Sequence, residues 1–165
     1  MSLRKYVIFS DVHGRRDLVR ALEARHHDAE AFFFLGDGLS DLPTMSVPTV
    51  SVRGNCDFTR DPSTPESCLL DLGGVRVLLM HGHRYGVKSG LHQALAAASA
   101  RGADALLFGH THRQTEQYFP EGSELSDGVL LTRPLWAFNP GSLAEGSYGL
   151  LQIRGGQMLF SHGTL

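Results

Sequence analysis

Five short apolar runs in this chain each end in side chains that can bind a metal ion, and this pattern constrains the fold more than any other feature. The run at residues 6–9 precedes Asp11-Val12-His13, and the run at residues 105–108 precedes His110-Thr111-His112. Side chains alternate along extended backbone, so residues two apart point the same way. We therefore expect each of these strand ends to present two ligands together.

Three more apolar runs end between these two pairs. They add a carboxylate, an amide oxygen and imidazoles in Gly36-Asp37, Gly54-Asn55 and His81-Gly82-His83. In α/β proteins, ligands bind in the crevice at the carboxyl ends of the strands. We therefore predict one metal site built from Asp11, His13, Asp37, Asn55, His81, His110 and His112.

The segments between these motifs predict alternating strands and helices. Buried strands are expected at residues 5–10, 31–35, 48–52 and 104–108, and helices at 15–26 and 88–101, the second ending at Gly102. Residues 67–72 and 75–80 flank Gly73-Gly74 and predict a hairpin. The last third predicts short strands at 117–119, 129–132, 135–138, 148–153 and 157–161, as an antiparallel sheet after a largely parallel one. We predict one α/β domain over residues 1–165, with two mixed β-sheets packed face to face and flanking helices.

Composition excludes several classes of protein. The net charge is −2 and no run of like charges forms a basic patch, so we expect no binding to long nucleic acid. Cys56 and Cys68 form no Cys-x-x-Cys pair, which argues against a disulfide framework and a structural zinc site. No stretch approaches the ~18 apolar residues of a membrane span, and no signal segment is evident at the N-terminus. We expect a soluble cytoplasmic protein without membrane contact.

The ligand types also restrict the metal. Carboxylates, imidazoles and an amide oxygen suit Mn, Fe, Zn or Co better than they suit calcium. The predicted ligands are too many for one ion, whereas two ions about 4 Å apart would use them all. The sequence therefore predicts a binuclear site.

The order Asp-x-His, Gly-Asp, Gly-Asn, His-Gly-His and Gly-His-Thr-His over residues 10–142 resembles the calcineurin-like metallophosphoesterases. The segments Asp11-Val12-His13-Gly14, Gly54-Asn55-Cys56-Asp57 and Asn139-Pro140-Gly141-Ser142 are similar to those of the small YfcE-type phosphodiesterases. The resemblance implies an αββα sandwich and a hydroxide that bridges two metal ions and attacks the phosphorus of a small phosphodiester. It further implies manganese as the preferred metal, with Ni, Zn, Fe or Co as alternatives.

The resemblance also assigns roles to residues. It implies one ion bound by Asp11, His13, Asp37 and His112, and a second bound by Asp37, Asn55, His81 and His110. Asp37 would then bridge both ions, and we expect Asp37, Asn55 and His81 to be the catalytic ligands.

One residue departs from the pattern of many larger relatives. Cys56 stands where those relatives carry a histidine thought to protonate the leaving group. A thiol with a pKa of about 8.5 is a poor acid at neutral pH, so we expect good leaving groups to react better than alkoxides.

Four residues near the ligands are candidates for contacts with substrate or for support of the ligands: Cys56, Asp57, His83 and Arg84. Asp57 could instead have an ordinary turn role, and His83 could simply satisfy loop backbone. Arg84 is preferred over the other basic residues beside the motifs, Arg53, Lys88 and Arg113, as the one that binds anionic oxygens. The segment Asn139-Pro140-Gly141-Ser142 is expected to form a tight turn near the site.

Two questions stay open at the level of sequence. A non-catalytic scaffold is the alternative to an enzyme, since the small retromer subunit resembles this fold and works through protein contacts. The full ligand set favours the enzyme. The oligomeric state is undetermined, with a homodimer among the alternatives.

Overall fold

The computed structural model describes residues 2–58 and 63–165, which form two five-stranded sheets and two α-helices. The strands are β1 (Arg4–Phe9), β2 (Ala31–Phe34), β3 (Thr49–Ser51), β4 (Ser67–Asp71), β5 (Arg76–Met80), β6 (Ala105–Leu107), β7 (Gln114–Phe119), β8 (Leu135–Pro140), β9 (Ser147–Arg154) and β10 (Gln157–Thr164). The helices are α1 (Arg16–Arg25) and α2 (His92–Ala100).

Each sheet combines parallel and antiparallel strands. The first has the order β10-β9-β1-β2-β3, in which β1, β2 and β3 are parallel and β9 and β10 are antiparallel to their neighbours. The second has the order β4-β5-β6-β8-β7, with a parallel centre and an antiparallel strand at each edge. The prediction of two mixed sheets is confirmed. The prediction that the last third forms its own antiparallel sheet is wrong, because β9 pairs with β1 and β8 pairs with β6.

The sheets pack face to face with one helix outside each of them. On β1, Tyr6 and Ile8 belong to the core between the sheets, whereas Val7 and Phe9 pack on the side of α1. On β5 and β6, Leu78 and Leu106 pack with the residues of α2 in the same way. Strands buried on both faces explain why their sequences are continuous apolar runs. The fold is therefore the predicted αββα sandwich.

Some boundaries differ from the predictions for local reasons. Helix α2 begins at His92 because Gly86 and Gly90 have positive φ angles of 59° and 141°, which helical backbone excludes. Gly102, with φ of 68°, follows its end as predicted. No strand forms at residues 129–132, where the described chain has only an isolated bridge between Glu124 and Leu130. No helix among the described residues has the length and apolar character needed to cross a membrane.

Candidate metal centre

Both sheets deliver candidate ligands to one end of the sandwich. In the first sheet, Asp11 and His13 follow β1 and Asp37 follows β2. In the second sheet, His81 follows β5, and His110 and His112 follow β6. The candidate centre therefore lies across the seam between the sheets, and its assembly depends on their packing.

Asp11, His13 and His112 form the first group, and their ligand atoms lie within 4.8 Å of one another. Asp11 Oδ1 lies 3.1 Å from His112 Nε2 and 3.6 Å from His13 Nε2. The two imidazole nitrogens face each other at 3.3 Å. Asp11 is fully buried while the histidine side chains are 38% and 41% exposed. This group is therefore open to solvent on its histidine side.

Asp37, His81 and His110 form the second group, also within 4.8 Å. His81 Nε2 lies 3.2 Å from Asp37 Oδ2 and 3.2 Å from His110 Nδ1. The other nitrogen of the His81 ring, Nδ1, lies 2.7 Å from the Leu35 carbonyl oxygen. Because a carbonyl only accepts, Nδ1 carries a hydrogen and Nε2 is the nitrogen that faces the other ligands.

The two groups are close enough to act together. Asp11 Oδ1 lies 3.9 Å from His81 Nε2, so this one oxygen faces histidines of both groups. Asp37 Oδ1 accepts a hydrogen bond from the backbone N–H of Cys56 at 2.8 Å, while Oδ2 faces His81. That Asp37 bridges two ions stays a prediction.

The carboxylates favour positive charge at the His81 ring. Burial alone would raise the pKa of Asp37, but hydrogen bonds from His81 and the Cys56 N–H outweigh it and hold that pKa well below its usual range. Burial alone would lower the pKa of His81, yet the Asp37 hydrogen bond and the charge of Asp11 raise it. Burial, together with the charge of His81, lowers the pKa of His110. The second group therefore combines a charged carboxylate with one neutral imidazole and one that favours its cationic form.

The residues present fit bound divalent ions. Asp11 Oδ1 is buried and has no hydrogen-bond partner in the described part of the chain. A buried charge of this kind costs free energy unless it is paired or coordinates a metal. The facing imidazole nitrogens in each group likewise need a shared proton or a shared cation. Mixed nitrogen and oxygen ligands suit Mn, Fe, Co or Zn.

The ligands lie on strained backbone. Every non-glycine residue with a positive φ in residues 2–58 and 63–165 is a candidate ligand: Asp11 (58°), His13 (45°), Asp37 (64°), His110 (71°) and His112 (61°). This region costs an L-residue roughly 1–2 kcal/mol, and such strain concentrates at functional sites. The expected reason for the ligand pairs is therefore wrong. β1 and β6 end before the pairs begin, and left-handed loops, not extended backbone, present both members.

We expect the variant His13→Gly to be more stable than His13→Ala by about 1 kcal/mol without metal. Both substitutions remove the imidazole, but only glycine relieves the strain at φ of 45°. Urea unfolding in EDTA measures the difference. The control is the same pair at Arg20, an exposed position within α1, where alanine is the more stable by about 1 kcal/mol. A more stable alanine variant at both positions contradicts the prediction.

Asp57 ties together the loops that follow β2 and β3. Its carboxylate accepts four backbone hydrogen bonds of 2.8 to 3.0 Å, with Oδ2 bonded to the N–H groups of Asp37 and Gly54, and Oδ1 to those of Gly38 and Leu39. Convergent N–H groups of this kind form an anion-binding concavity. Here the anion is the Asp57 carboxylate of the same chain, and it fixes the backbone of the candidate ligand Asp37.

Two glycines allow the ligand loops to touch. A Cβ on Gly54 would overlap Asp37 Oδ1, and a Cβ on Gly109 would overlap Ser10 Oγ. Neither position has space for a side chain. The glycine before Asn55 and the glycine before His110 are therefore required for the close approach of neighbouring strand ends.

Three buried polar residues support the ligands although the sequence analysis gave them no such role. Ser10 Oγ donates to Asp11 Oδ2 at 2.6 Å, and Ser142 Oγ donates to the Asp11 carbonyl oxygen at 3.0 Å. Asn139 Nδ2 donates to the Gly109 carbonyl oxygen at 3.0 Å and to Thr111 Oγ1 at 3.1 Å. The sequence signal that could have identified these three residues is a polar residue within or beside an apolar strand, next to a ligand motif. The predicted tight turn over residues 139–142 is wrong, because Asn139 and Pro140 are the last residues of β8, although the segment does lie beside the candidate ligands.

Asn55 and Cys56 lie on the exposed surface after β3. Asn55 Nδ2 lies 3.4 Å from Cys56 Sγ, and binding of a metal by the Asn55 amide oxygen stays a prediction. Burial and the negative charge of Asp37 raise the pKa of the Cys56 thiol. The thiol is therefore protonated at neutral pH and is a weaker acid than an ordinary cysteine.

His83 and Arg84 lie beside the second group. The ring centroid of His83 is 5.5 Å from that of His81, and its Nδ1 is buried without a hydrogen-bond partner in the described chain. Burial and the charge of His81 lower the pKa of His83, which favours the neutral ring. Arg84 forms an ion pair with Glu66. Glu66 therefore already pairs with the positive charge of Arg84, the residue expected to bind anionic oxygens of the substrate.

The family comparison covers nearly the whole chain. The model of the calcineurin-like phosphoesterase superfamily domain matches residues 5–163. A relative from Bacillus subtilis (strain 168), named probable metallophosphoesterase YsnB, is 34% identical over 140 residues, which are 83% of this chain and 73% of the relative.

Solved structures share the fold. A conserved uncharacterized protein from Streptococcus pneumoniae TIGR4, described as a predicted phosphoesterase, is 23% identical with a TM-score of 0.77 over 99% of this chain and 91% of its own. An archaeal phosphodiesterase is 18% identical with a TM-score of 0.66 over 98% and 99%. Vps29 from Entamoeba histolytica, solved with zinc, is 17% identical with a TM-score of 0.68 over 97% and 98%. At these identities the likeness establishes the sandwich fold alone.

Proposed function

Because this chain belongs to the calcineurin-like phosphoesterase superfamily, we propose that it is a metal-dependent phosphodiesterase acting on small phosphodiesters. One observation carries the proposal. Two groups of Asp and His side chains lie next to each other, and Asp11 Oδ1 of the first group, a buried oxygen with no hydrogen-bond partner in the described chain, lies 3.9 Å from His81 Nε2 of the second. The likeness in fold to an archaeal phosphodiesterase supports the choice of diesters.

The proposed cofactors are two divalent ions, with manganese preferred and Ni, Zn, Fe or Co as alternatives. The ligands of the first would be Asp11, His13, Asp37 and His112, and those of the second Asp37, Asn55, His81 and His110. When bound, such ions activate water near neutral pH and neutralise phosphoryl oxygens. The catalytic ligands in this proposal are Asp37, Asn55 and His81.

The surrounding residues contribute by fixing these ligands. Leu35 holds the His81 ring through its carbonyl oxygen, and Asp57 fixes the backbone of Asp37. Asn139 fixes the loop that carries His110 and His112 through Gly109 and Thr111. Partners of this kind matter because losing one typically costs 10–100-fold in metal affinity or activity.

The leaving group is expected to limit the rate. The Cys56 thiol is protonated at neutral pH but is a weak acid, because burial and the charge of Asp37 raise its pKa. An aryl oxide leaves without protonation, whereas an alkoxide needs a proton donor. Aryl phosphodiesters are therefore the better probes of activity.

The test uses protein stripped of metal, to which Mn, Ni, Zn or Mg is returned separately. We expect no turnover without metal, and Mn-dependent cleavage of bis-p-nitrophenyl phosphate in preference to p-nitrophenyl phosphate. A preference for the monoester would exclude the diesterase assignment. Absence of turnover with every metal would exclude an aryl phosphoesterase altogether.

A second candidate function is a non-catalytic scaffold for protein contacts, supported by the likeness in fold to Vps29. That structure holds zinc, so metal binding alone does not separate the two functions, whereas turnover does. The enzyme is preferred because carboxylate and imidazole ligands are present in both groups. We further propose a cytoplasmic protein that binds neither membranes nor long nucleic acid, in line with its net charge of −2, and a homodimer stays a prediction.

A further inference from the structure

A cavity of about 470 Å³ lies beside the loop that carries His110 and His112. This volume is within the range of roughly 300–1,000 Å³ that small-molecule sites have. Its apolar wall comes from Val87, Leu91 and Phe108. Its cationic side chains are Lys88 and Arg113, and no carboxylate lines it in the described chain.

The cavity adjoins the stretch of chain that carries two of the candidate ligands, although its lining residues in the described chain include no candidate ligand. Phe108, Thr111 and Arg113 line it, and they lie on the same stretch of chain as the ligands His110 and His112. Thr111 Oγ1 accepts hydrogen bonds from Asn139 Nδ2 at 3.1 Å and from the Arg113 N–H at 3.2 Å. The contact that fixes the ligand loop therefore also fixes this wall.

The cations of the cavity differ from two paired cations elsewhere on the surface. Arg84 is paired with Glu66, and Arg133 with Asp104. Lys88 and Arg113 are exposed, and within residues 2–58 and 63–165 neither side chain has an ion pair or a hydrogen bond. Two unpaired cations above an apolar wall favour a ligand that is partly apolar and carries negative charge.

We propose that this cavity binds the second ester arm of the substrate, and that this arm is an apolar ring or chain bearing a further anionic group recognised by Lys88 and Arg113. The inference rests on the proposed function. It narrows the substrate class to phosphodiesters with an additional carboxylate or phosphate on one arm.

The experiment compares two diesters that release the same p-nitrophenolate, p-nitrophenyl phenyl phosphate and its 3-carboxyphenyl analogue. At low ionic strength, kcat/KM is expected to be about fivefold or more higher for the carboxylated diester, and the preference falls as salt is added. The double variant Lys88→Met/Arg113→Met removes the preference. The charge-matched control is the double variant Arg20→Gln/Arg154→Gln, at exposed positions within α1 and at the end of β9, which also removes two positive charges and keeps the preference.

A second measurement does not depend on turnover. Calorimetric titration with 3-carboxyphenylphosphonate and phenylphosphonate, in the presence of Mn, is expected to show about fivefold tighter binding of the carboxylated compound to the unmodified chain only. Equal kcat/KM values for the two diesters overturn the inference but leave the proposed function unaffected. Absence of turnover for both diesters overturns the proposed function. In that case the calorimetric titration alone tests the inference, and equal affinities for the two phosphonates overturn it. A preference that survives in the double variant also overturns it.

Discussion

Asp37→Asn is expected to lower kcat/KM for manganese-dependent hydrolysis of bis-p-nitrophenyl phosphate by about 10³-fold or more, since a metal centre supplies several kcal/mol of stabilisation to the transition state. The substitution keeps the shape of the side chain and removes its charge. One oxygen of Asp37 accepts from the Cys56 N–H and the other faces His81 Nε2, so the new amide group replaces an oxygen that is already in use.

The matched control is Asp17→Asn, which removes one charge from an exposed carboxylate paired with Arg15. Its activity should stay within about twofold of the unmodified chain. Thermal unfolding with and without manganese supplies an independent measurement. Metal should raise the melting temperature of the control but not of Asp37→Asn. A variant at position 37 that keeps hydrolysis within tenfold would show that Asp37 is not a ligand in the active enzyme.

Asp57→Asn is expected to destabilise the protein by about 3 kcal/mol or more, which corresponds to roughly 6–12 °C in melting temperature. Each carboxylate oxygen of Asp57 accepts from two backbone N–H groups. In either orientation an asparagine would place its NH₂ group against two of these donors. The substitution therefore leaves buried donors unpaired, although it changes the size of the side chain very little.

Asp41→Asn is the control for this second experiment, because Asp41 accepts one backbone hydrogen bond, from Gly14, at the surface. Its asparagine can turn its oxygen to that donor, so the loss should stay below about 1 kcal/mol. Differential scanning calorimetry of both variants in EDTA makes the comparison without any contribution from metal. Equal stability of the two variants would mean that water replaces the lost acceptor, and the role given to Asp57 would be wrong.

The meeting of these side chains at one end of the sandwich could be predicted from the sequence because each follows an apolar run, and a parallel sheet brings the ends of such runs together. The backbone at those ends could not be predicted. Nothing in Asp11-Val12-His13 separates an extended segment from the left-handed one that the structure has. The structure brings six of the seven predicted ligands together in two groups, whereas the expected reason for their spacing was wrong.

Contacts between distant segments were the other part that the sequence did not reveal. Ser142 bonds to the backbone of Asp11, 131 positions away. Arg84, after β5, forms an ion pair with Glu66, directly before β4, and Lys88 and Arg113 are the cationic side chains that line the cavity. The contact of Ser142 with Asp11 depends on how the two sheets are stacked, and no local pattern encodes that.

The left-handed backbone of the ligand loops also bears on how this sequence can change over generations. At the exposed positions His13 and His112, a mutation to glycine removes strain while it removes a candidate ligand. Most substitutions elsewhere in a protein lower its stability. In a descendant no longer selected for catalysis, mutations of these histidines to glycine would therefore increase stability. The sandwich fold would then persist after the metal site was lost.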